Sequence, residues 1–164
     1  MEIKNMNKLF NKPVKVYLAG PFFSEKQIQK VEQLEKALLD NKTVSSIFSP
    51  MRCQRPEELA EEIEDFTPEW AKITMENDVK EVEAADIIIA IVDFDDEDTD
   101  SGTAWELGYA IAQEKPTDLI RFEETVPTNI MLTERNRAFF TEINQIRNYD
   151  FLASPAIPYS GKYQ

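Results

Sequence analysis

The sequence predicts an α/β fold, an open and mostly parallel sheet of about five strands with helices on both faces. Three observations predict it. In Asp86-Ile-Ile-Ile-Ala-Ile-Val92 the six residues after the aspartate are an unbroken apolar run of strand length, and such runs mark parallel strands buried on both faces. Short β-branched segments alternate along the chain with segments of helical period. The run 86–92 leads through an acidic loop into a helix, and open α/β sheets place their chemistry at such carboxyl-end loops. Together they describe a flavodoxin-like three-layer α/β/α sandwich.

Taken in order, residues 1–13 read as a loosely ordered lead-in to a single domain spanning 1–164. Val14 to Ala19 is a first strand, stopped by Gly20-Pro21. Ser24 with Gln27 makes a capping box. Ile28, Val31, Leu34 and Leu38 then supply one apolar helical stripe. Val44 to Ser49 is a second strand, ended by Pro50. The acidic stretch 51–67 is weakly patterned, with a helical turn near Glu57–Ile63 as a cover for a site or an interface. Thr67 and Pro68 open a helix to about Glu83. The isoleucine-rich strand follows, then a helix from Thr103 to about Glu114. Thr117 to Arg121 is a fourth strand, Asn129 to Phe140 a helix, and Ile146–Phe151 a last strand.

The chain carries 18 basic and 31 acidic residues, a net charge of -13. That balance excludes a nucleic-acid surface, which needs a basic patch, and docking on anionic lipid. It leaves neutral small molecules open. No apolar stretch reaches the ~18 residues of a membrane span, and the polar start is no signal peptide. A cytoplasmic protein is expected. Cys53 is the single cysteine and there is no histidine, so the usual general base and zinc ligand are both missing. Four glycines, Gly20, Gly102, Gly108 and Gly161, support neither a dinucleotide fingerprint nor a Walker A loop. Asp96-x-Asp98-x-Asp100 begins like a calcium loop, but Ser101 and Leu107 stand where glycine and glutamate are required. Neither cofactor nor metal is expected.

Carboxylates remain. Glu106 has two readings. It completes a capping box with Thr103, or it is a nucleophile held ionised by the helix dipole at the mouth of the sheet. Asp78 lies on the apolar arc of its helix with Ala71, Met75 and Val82, so it is either paired or desolvated with a raised pKa. Asp93, Asp95, Asp96, Glu97 and Asp98 read as a solvated loop. Asp100, beside Ser101-Gly102 at the helix entry, is placed to turn inward. Tyr17, Phe22 and Phe23 read as core packing or as an apolar wall for a flat ring and a sugar.

Val16-Tyr-Leu-Ala-Gly-Pro-Phe-Phe23, Glu76-Asn-Asp-Val79, Asp100-Ser-Gly-Thr-Ala-Trp-Glu-Leu-Gly-Tyr-Ala110 and Pro127-Thr-Asn-Ile-Met131 together resemble the nucleoside 2-deoxyribosyltransferases, of type II. The resemblance implies transfer of 2-deoxyribose between nucleobases on a flavodoxin-like fold, through a covalent sugar ester. It implies Glu106 as nucleophile, Asp78 and Asp100 as the carboxylates that contact and protonate the base, and Tyr17 as the residue orienting the nucleophile. Gly20, Phe22, Phe23 and Ser101 fall among the substrate-binding positions. Asn129 and Met131 match residues lent by a neighbouring subunit of a dimer-based, hexamer-forming assembly. Tyr163 or Tyr159 matches a C-terminal tyrosine near the substrate. Where some members carry Trp after the first strand, this chain has Phe22. Two other readings remain: a hydrolase of deoxynucleoside 5'-monophosphates on the same fold, and a non-catalytic acidic binding module.

Overall fold

The computed structural model describes residues 8–123 and 126–164. Five strands form one sheet: β1 (Val14–Ala19), β2 (Val44–Phe48), β3 (Ile87–Ile91), β4 (Thr117–Ile120) and β5 (Ala138–Phe140). All neighbours are parallel, in the order β2-β1-β3-β4-β5. The order reverses direction between β1 and β3, which opens a crevice at their carboxyl ends.

Side-chain alternation splits the core in two. Val16, Leu18, Ile87, Ile89 and Ile91 face the layer of α1 (Glu25–Leu39) and α5 (Ile143–Asn148). Tyr17, Ala19, Ile88, Ala90 and Val92 face α2 (Pro68–Ala84) and α3 (Ser101–Ala112). Residues 87–92 are all buried, which is why the run carries no polar alternation. Gly20 leaves β1 close to Ile91; a Cβ there would come within 3.1 Å of the Ile91 Cβ.

Ser24 caps α1, accepting from Gln27 N–H at 3.3 Å, and the Gln27 side chain reaches back to Phe23 N–H at 2.8 Å. Thr67 caps α2, with Pro68 in its first turn. The stretch between them holds a 3-10 turn at Pro50–Arg52 and then hydrogen-bonded turns closed by Leu59 and Ile63, so the helical turn expected at 57–63 is two tight turns instead. Arg55 ties these turns together through Asp65 and the carbonyls of Ala60 and Ile63.

Three further sequence expectations are corrected. The helix expected from Thr103 begins at Ser101, because Asp100 caps it. The helix expected over Asn129–Phe140 is one short turn, α4 (Ile130–Thr133), followed by β5. Ala138-Phe-Phe140 completes the sheet edge through bonds with β4. The strand expected at Ile146–Phe151 is instead α5 and the turn after it. The Gln145 side chain accepts from Thr141 and Glu142 N–H at 2.8 and 3.0 Å and fixes the start of α5. Of the lead-in, residues 1–7 lie outside the described residues. Leu9 and Phe10 N–H both donate to the Leu152 carbonyl, at 2.7 and 3.0 Å.

Candidate active site

The crevice at the carboxyl ends of β1 and β3 gathers the candidate carboxylates. Tyr17 is fully buried in β1 and stacked on Phe48 with ring centroids 5.3 Å apart. Its hydroxyl donates to Glu106 Oε1 at 2.6 Å. Glu106 stands in the second turn of α3, not the first, since α3 begins at Ser101. It does not cap its helix. Asp100 Oδ2 does so, accepting from Thr103 N–H at 2.9 Å and from the Thr103 hydroxyl at 3.1 Å. Thr103 is therefore engaged by Asp100, and the Glu106 side chain is free to meet Tyr17.

This placement changes the electrostatics. The helix dipole acts mainly within the first turn, so burial dominates at Glu106. Burial pushes its carboxyl up to about 7, opposed by the Tyr17 hydrogen bond and reinforced by repulsion from Asp78 and Asp100. The Tyr17 hydroxyl is itself raised far above the usual tyrosine range, by burial and then by the negative charge of Glu106 and Asp78. Asp78 is half-buried on α2, and burial lifts it to about 6.

Two adjoining cavities meet at Asp78. One, of about 260 Å³, is lined by Met75, Asp78, Gly102, Trp105 and Glu106. The other, of about 250 Å³, is lined by Phe22, Phe23, Pro50, Gln54, Phe66 and Asp78. Trp70 and Thr74 line both. The second is an aromatic box. Phe22 stacks on Phe23 at 5.5 Å and Phe66 packs on Trp70 at 4.9 Å. Phe66 holds a positive φ of 63° and is 87% exposed. An apolar side chain exposed on a strained backbone suits a cover over a flat ligand better than a packing role.

Trp70 Nε1, Thr74 Oγ1 and Asp78 Oδ1 are buried with no hydrogen-bond partner among the described residues. They stand at i, i+4 and i+8 on one face of α2, so three polar groups converge on the same space. Buried polar atoms are normally paired; three unpaired ones in one cavity wall define a surface for a polar, flat ligand. Trp70, Thr74 and Gln54 were not singled out by sequence reasoning. The i, i+4, i+8 spacing from Asp78 was the signal that could have found Trp70 and Thr74.

The other candidates lie apart. Gly20 sits beneath the crevice against Ile91. Ser101 is exposed at the first position of α3. Asn129 caps α4, accepting from Met131 N–H at 2.9 Å. Asn129 and Met131 line a different cavity, with Ala104, Gly108 and Ile111 of α3, and Met131 is 75% exposed. Tyr163 packs on Tyr159 at 5.1 Å and pairs with Thr128; it lines neither cavity around Asp78.

The acidic loop is only partly the solvated run expected. Asp93 is buried. Its two oxygens accept from Phe122 and Glu123 N–H at 2.6 and 3.0 Å, which clamps the end of β3 to the end of β4. Asp95 accepts from the Gln27 amide at 3.0 Å. Among the described residues no group of His, Cys, Asp and Glu is arranged to hold a metal ion, and no helix is long and apolar enough to cross a membrane.

Similarity to known proteins follows the same residues. Residues 16–140 match the family model for nucleoside 2-deoxyribosyltransferase. A solved structure of a 2-deoxyribosyltransferase from Bacillus psychrosaccharolyticus is similar, with a TM-score of 0.73 at 35% identity, covering 89% of this chain and 99% of that one. A nucleoside deoxyribosyltransferase of Limosilactobacillus fermentum is 27% identical over 173 residues, 96% of this chain and 98% of its own length. Another, of Lactobacillus leichmannii, is 29% identical over 124 residues, 71% of this chain and 76% of its own. The matched span runs from β1 to β5 and takes in Tyr17, Asp78, Asp100 and Glu106, and the chain belongs to the nucleoside 2-deoxyribosyltransferase family.

Proposed function

We propose that this transferase moves 2-deoxyribose between purine and/or pyrimidine bases by double displacement, through a deoxyribosyl ester of Glu106. The observation that carries the reading is the 2.6 Å bond from the buried Tyr17 hydroxyl to Glu106 Oε1. It fixes one carboxylate oxygen and leaves the other for a sugar carbon in the cavity shared with Asp78. Ionised Glu106 attacks the anomeric carbon of a 2'-deoxynucleoside. The C–N bond breaks, and the leaving base takes its electron pair and a proton from protonated Asp78. An incoming base then attacks the anomeric carbon of the ester, breaks its bond to the Glu106 oxygen, releases Glu106 as carboxylate and returns a proton to Asp78. Two inversions give net retention. Asp100 caps α3 and adds to the negative field at Glu106, so Asp78 is the better proton donor of the two.

Burial raises the Glu106 carboxyl to about 7 and that of Asp78 to about 6. Coupled carboxyls at such values share a proton as a pair, and the reactive form is the one with that proton on Asp78. The stretch 51–67, with Phe66, covers the base and keeps water from the ester. Asn129 and Met131, on a surface away from this chain's own Glu106, complete the site of a neighbouring copy in a dimer-based assembly, and Tyr163 stands beside them. The enzyme acts in the cytoplasm, in nucleotide salvage.

Among the described residues no lysine or arginine lines either cavity around Asp78, which favours an unphosphorylated nucleoside over a 5'-monophosphate. Lys26, in the first turn of α1, is held by Glu123 at 2.9 Å. The test is to mix deoxyinosine or thymidine with adenine and measure deoxyadenosine. Glu106→Ala should form none, and a 2-fluoro-2-deoxynucleoside should add its sugar mass to Glu106 in the wild type. Absence of the adduct, with exchange intact, rejects the ester.

A further inference from the structure

A separate cavity of about 220 Å³ lies at the carboxyl ends of β4 and β5, walled by Arg121, Phe122, Phe139, Thr141, Ser160 and Gly161. None of these lines the cavities around Asp78. Arg121 is its unusual member. It is only 5% exposed. Nη2 donates to the Thr128 hydroxyl, but Nε and Nη1 are buried and have no acceptor among the described residues. The acids nearby in the fold do not accept from these two nitrogens, although the Asp93 charge does attract Arg121. Asp93 accepts from two backbone amides at 2.6 and 3.0 Å. Glu123, on the cavity wall, pairs with Lys26 at 2.9 Å and lies 3.8 Å from Lys30.

A guanidinium does not give up its proton inside a protein and brings five N–H donors. Asp93 supplies a negative charge nearby, but buried donors left without acceptors are costly, and buried cations are as a rule hydrogen-bonded as well as paired. Each two-nitrogen edge of this guanidinium combines Nη2 with one unsatisfied nitrogen, Nε on the side and Nη1 on the end, the forked geometry that suits a two-oxygen anion. Ser160 and Thr141 put hydroxyls on the same wall. The volume is below the range of drug-sized pockets, about 300 Å³ and more, and fits an anion of a few heavy atoms.

We propose that this cavity binds a small oxoanion, phosphate or carboxylate, on the Arg121 guanidinium. The site is tied to the chain's last residues. Thr128, the Arg121 acceptor, exchanges backbone bonds with Lys162 and Gln164 at 2.9 and 3.1 Å, and it immediately precedes Asn129. An anion that fills the cavity holds Arg121, the 159–164 tail and the start of α4 as one unit, and so modulates how Asn129 and Met131 are presented. This coupling rests on the reading of Asn129 given above; the binding does not.

The test uses the full chain, titrated with sodium phosphate and separately with sodium acetate at ionic strength held constant by sodium chloride. Calorimetry should show saturable binding of at least one anion, and the melting temperature should rise with its concentration as mass action requires. Phosphate alone identifies a tetrahedral ligand, acetate alone a carboxylate. Arg121→Met should weaken binding at least tenfold. Should that variant not fold, Thr141→Trp, at an exposed position, plugs the cavity with the guanidinium intact and should do the same. No saturable binding of either anion, or binding undiminished by the folded variants, overturns the site. Base exchange measured with and without saturating anion reads the coupling: a twofold or larger change is expected. An unchanged rate with binding intact rejects the coupling and leaves the site standing.

Discussion

The Tyr17 hydroxyl and Glu106 Oε1 lie 2.6 Å apart and join β1 to α3 where the sheet order reverses. The bond works against the local environment. Burial, with repulsion from Asp78 and Asp100, raises the Glu106 carboxyl, and Tyr17 is the group that pulls it back. A hydrogen bond to the charged form favours that form. Tyr17 therefore both aims the nucleophile and keeps part of it ionised near neutral pH.

Tyr17→Phe removes that bond and little volume. The Glu106 value should rise further above 7 and the acid limb of the pH–rate profile should move upward. A hydrogen bond to a charged group is worth about 1.5–3 kcal/mol, so exchange at neutral pH should fall roughly 10- to 100-fold. A full pH profile of the variant checks both. An unshifted acid limb would show that the bond does not act on ionisation.

Asp78→Asn should lower exchange by about 10²- to 10⁴-fold if the carboxyl supplies the proton. It also removes a repulsion on Glu106, so the acid limb should move down, opposite to Tyr17→Phe. Exchange near the wild-type rate would assign the proton to another group.

Asp100→Ala removes the cap of α3 and should cost about 0.5–2 kcal/mol of stability by denaturant melting. Asp100→Ser keeps an oxygen at the cap and should recover most of it. If Asp100 matters only as a cap, activity will recover as well. If the carboxylate itself serves the reaction, Asp100→Ser will be stable and slow.

Asp118 sits fully buried near the start of β4, where the Ala138 amide and the Arg137 charge only partly oppose the effect of burial. Burial raises it from 3.8 to about 7. The folded protein then holds a proton that the unfolded chain releases, so this group's contribution is complete below about pH 4 and is lost as pH rises towards 7. Asp118→Asn should flatten the stability–pH curve over that window, measured by urea melts at several pH values. A curve with the wild-type slope would mean that the carboxyl is ionised in the fold.

The residue types alone determined much of this protein. An unbroken apolar run over 87–92 can be buried only between two layers, so the parallel sheet was readable without coordinates. The lack of histidine confined acid–base chemistry to carboxylates, and Asp78 stood out because a charge on an apolar arc has to be desolvated. Where two local patterns competed, the sequence could not choose. Thr103 and Glu106 have capping-box spacing, but Asp100 reaches the same amide first, and only the fold brings Tyr17, 89 positions away, to claim Glu106. Ala138–Phe140 became a strand because β4 offered an open edge. Residues 143–148 became a helix where α1 offered a face to pack on. Asp93 looked like its solvated neighbours until two amides from the end of β4 closed on it. Side-chain spacing is fixed along the chain. Which group wins a shared donor, and which segment covers an edge, depends on contacts distant in sequence, and those exist only once the sheet has formed.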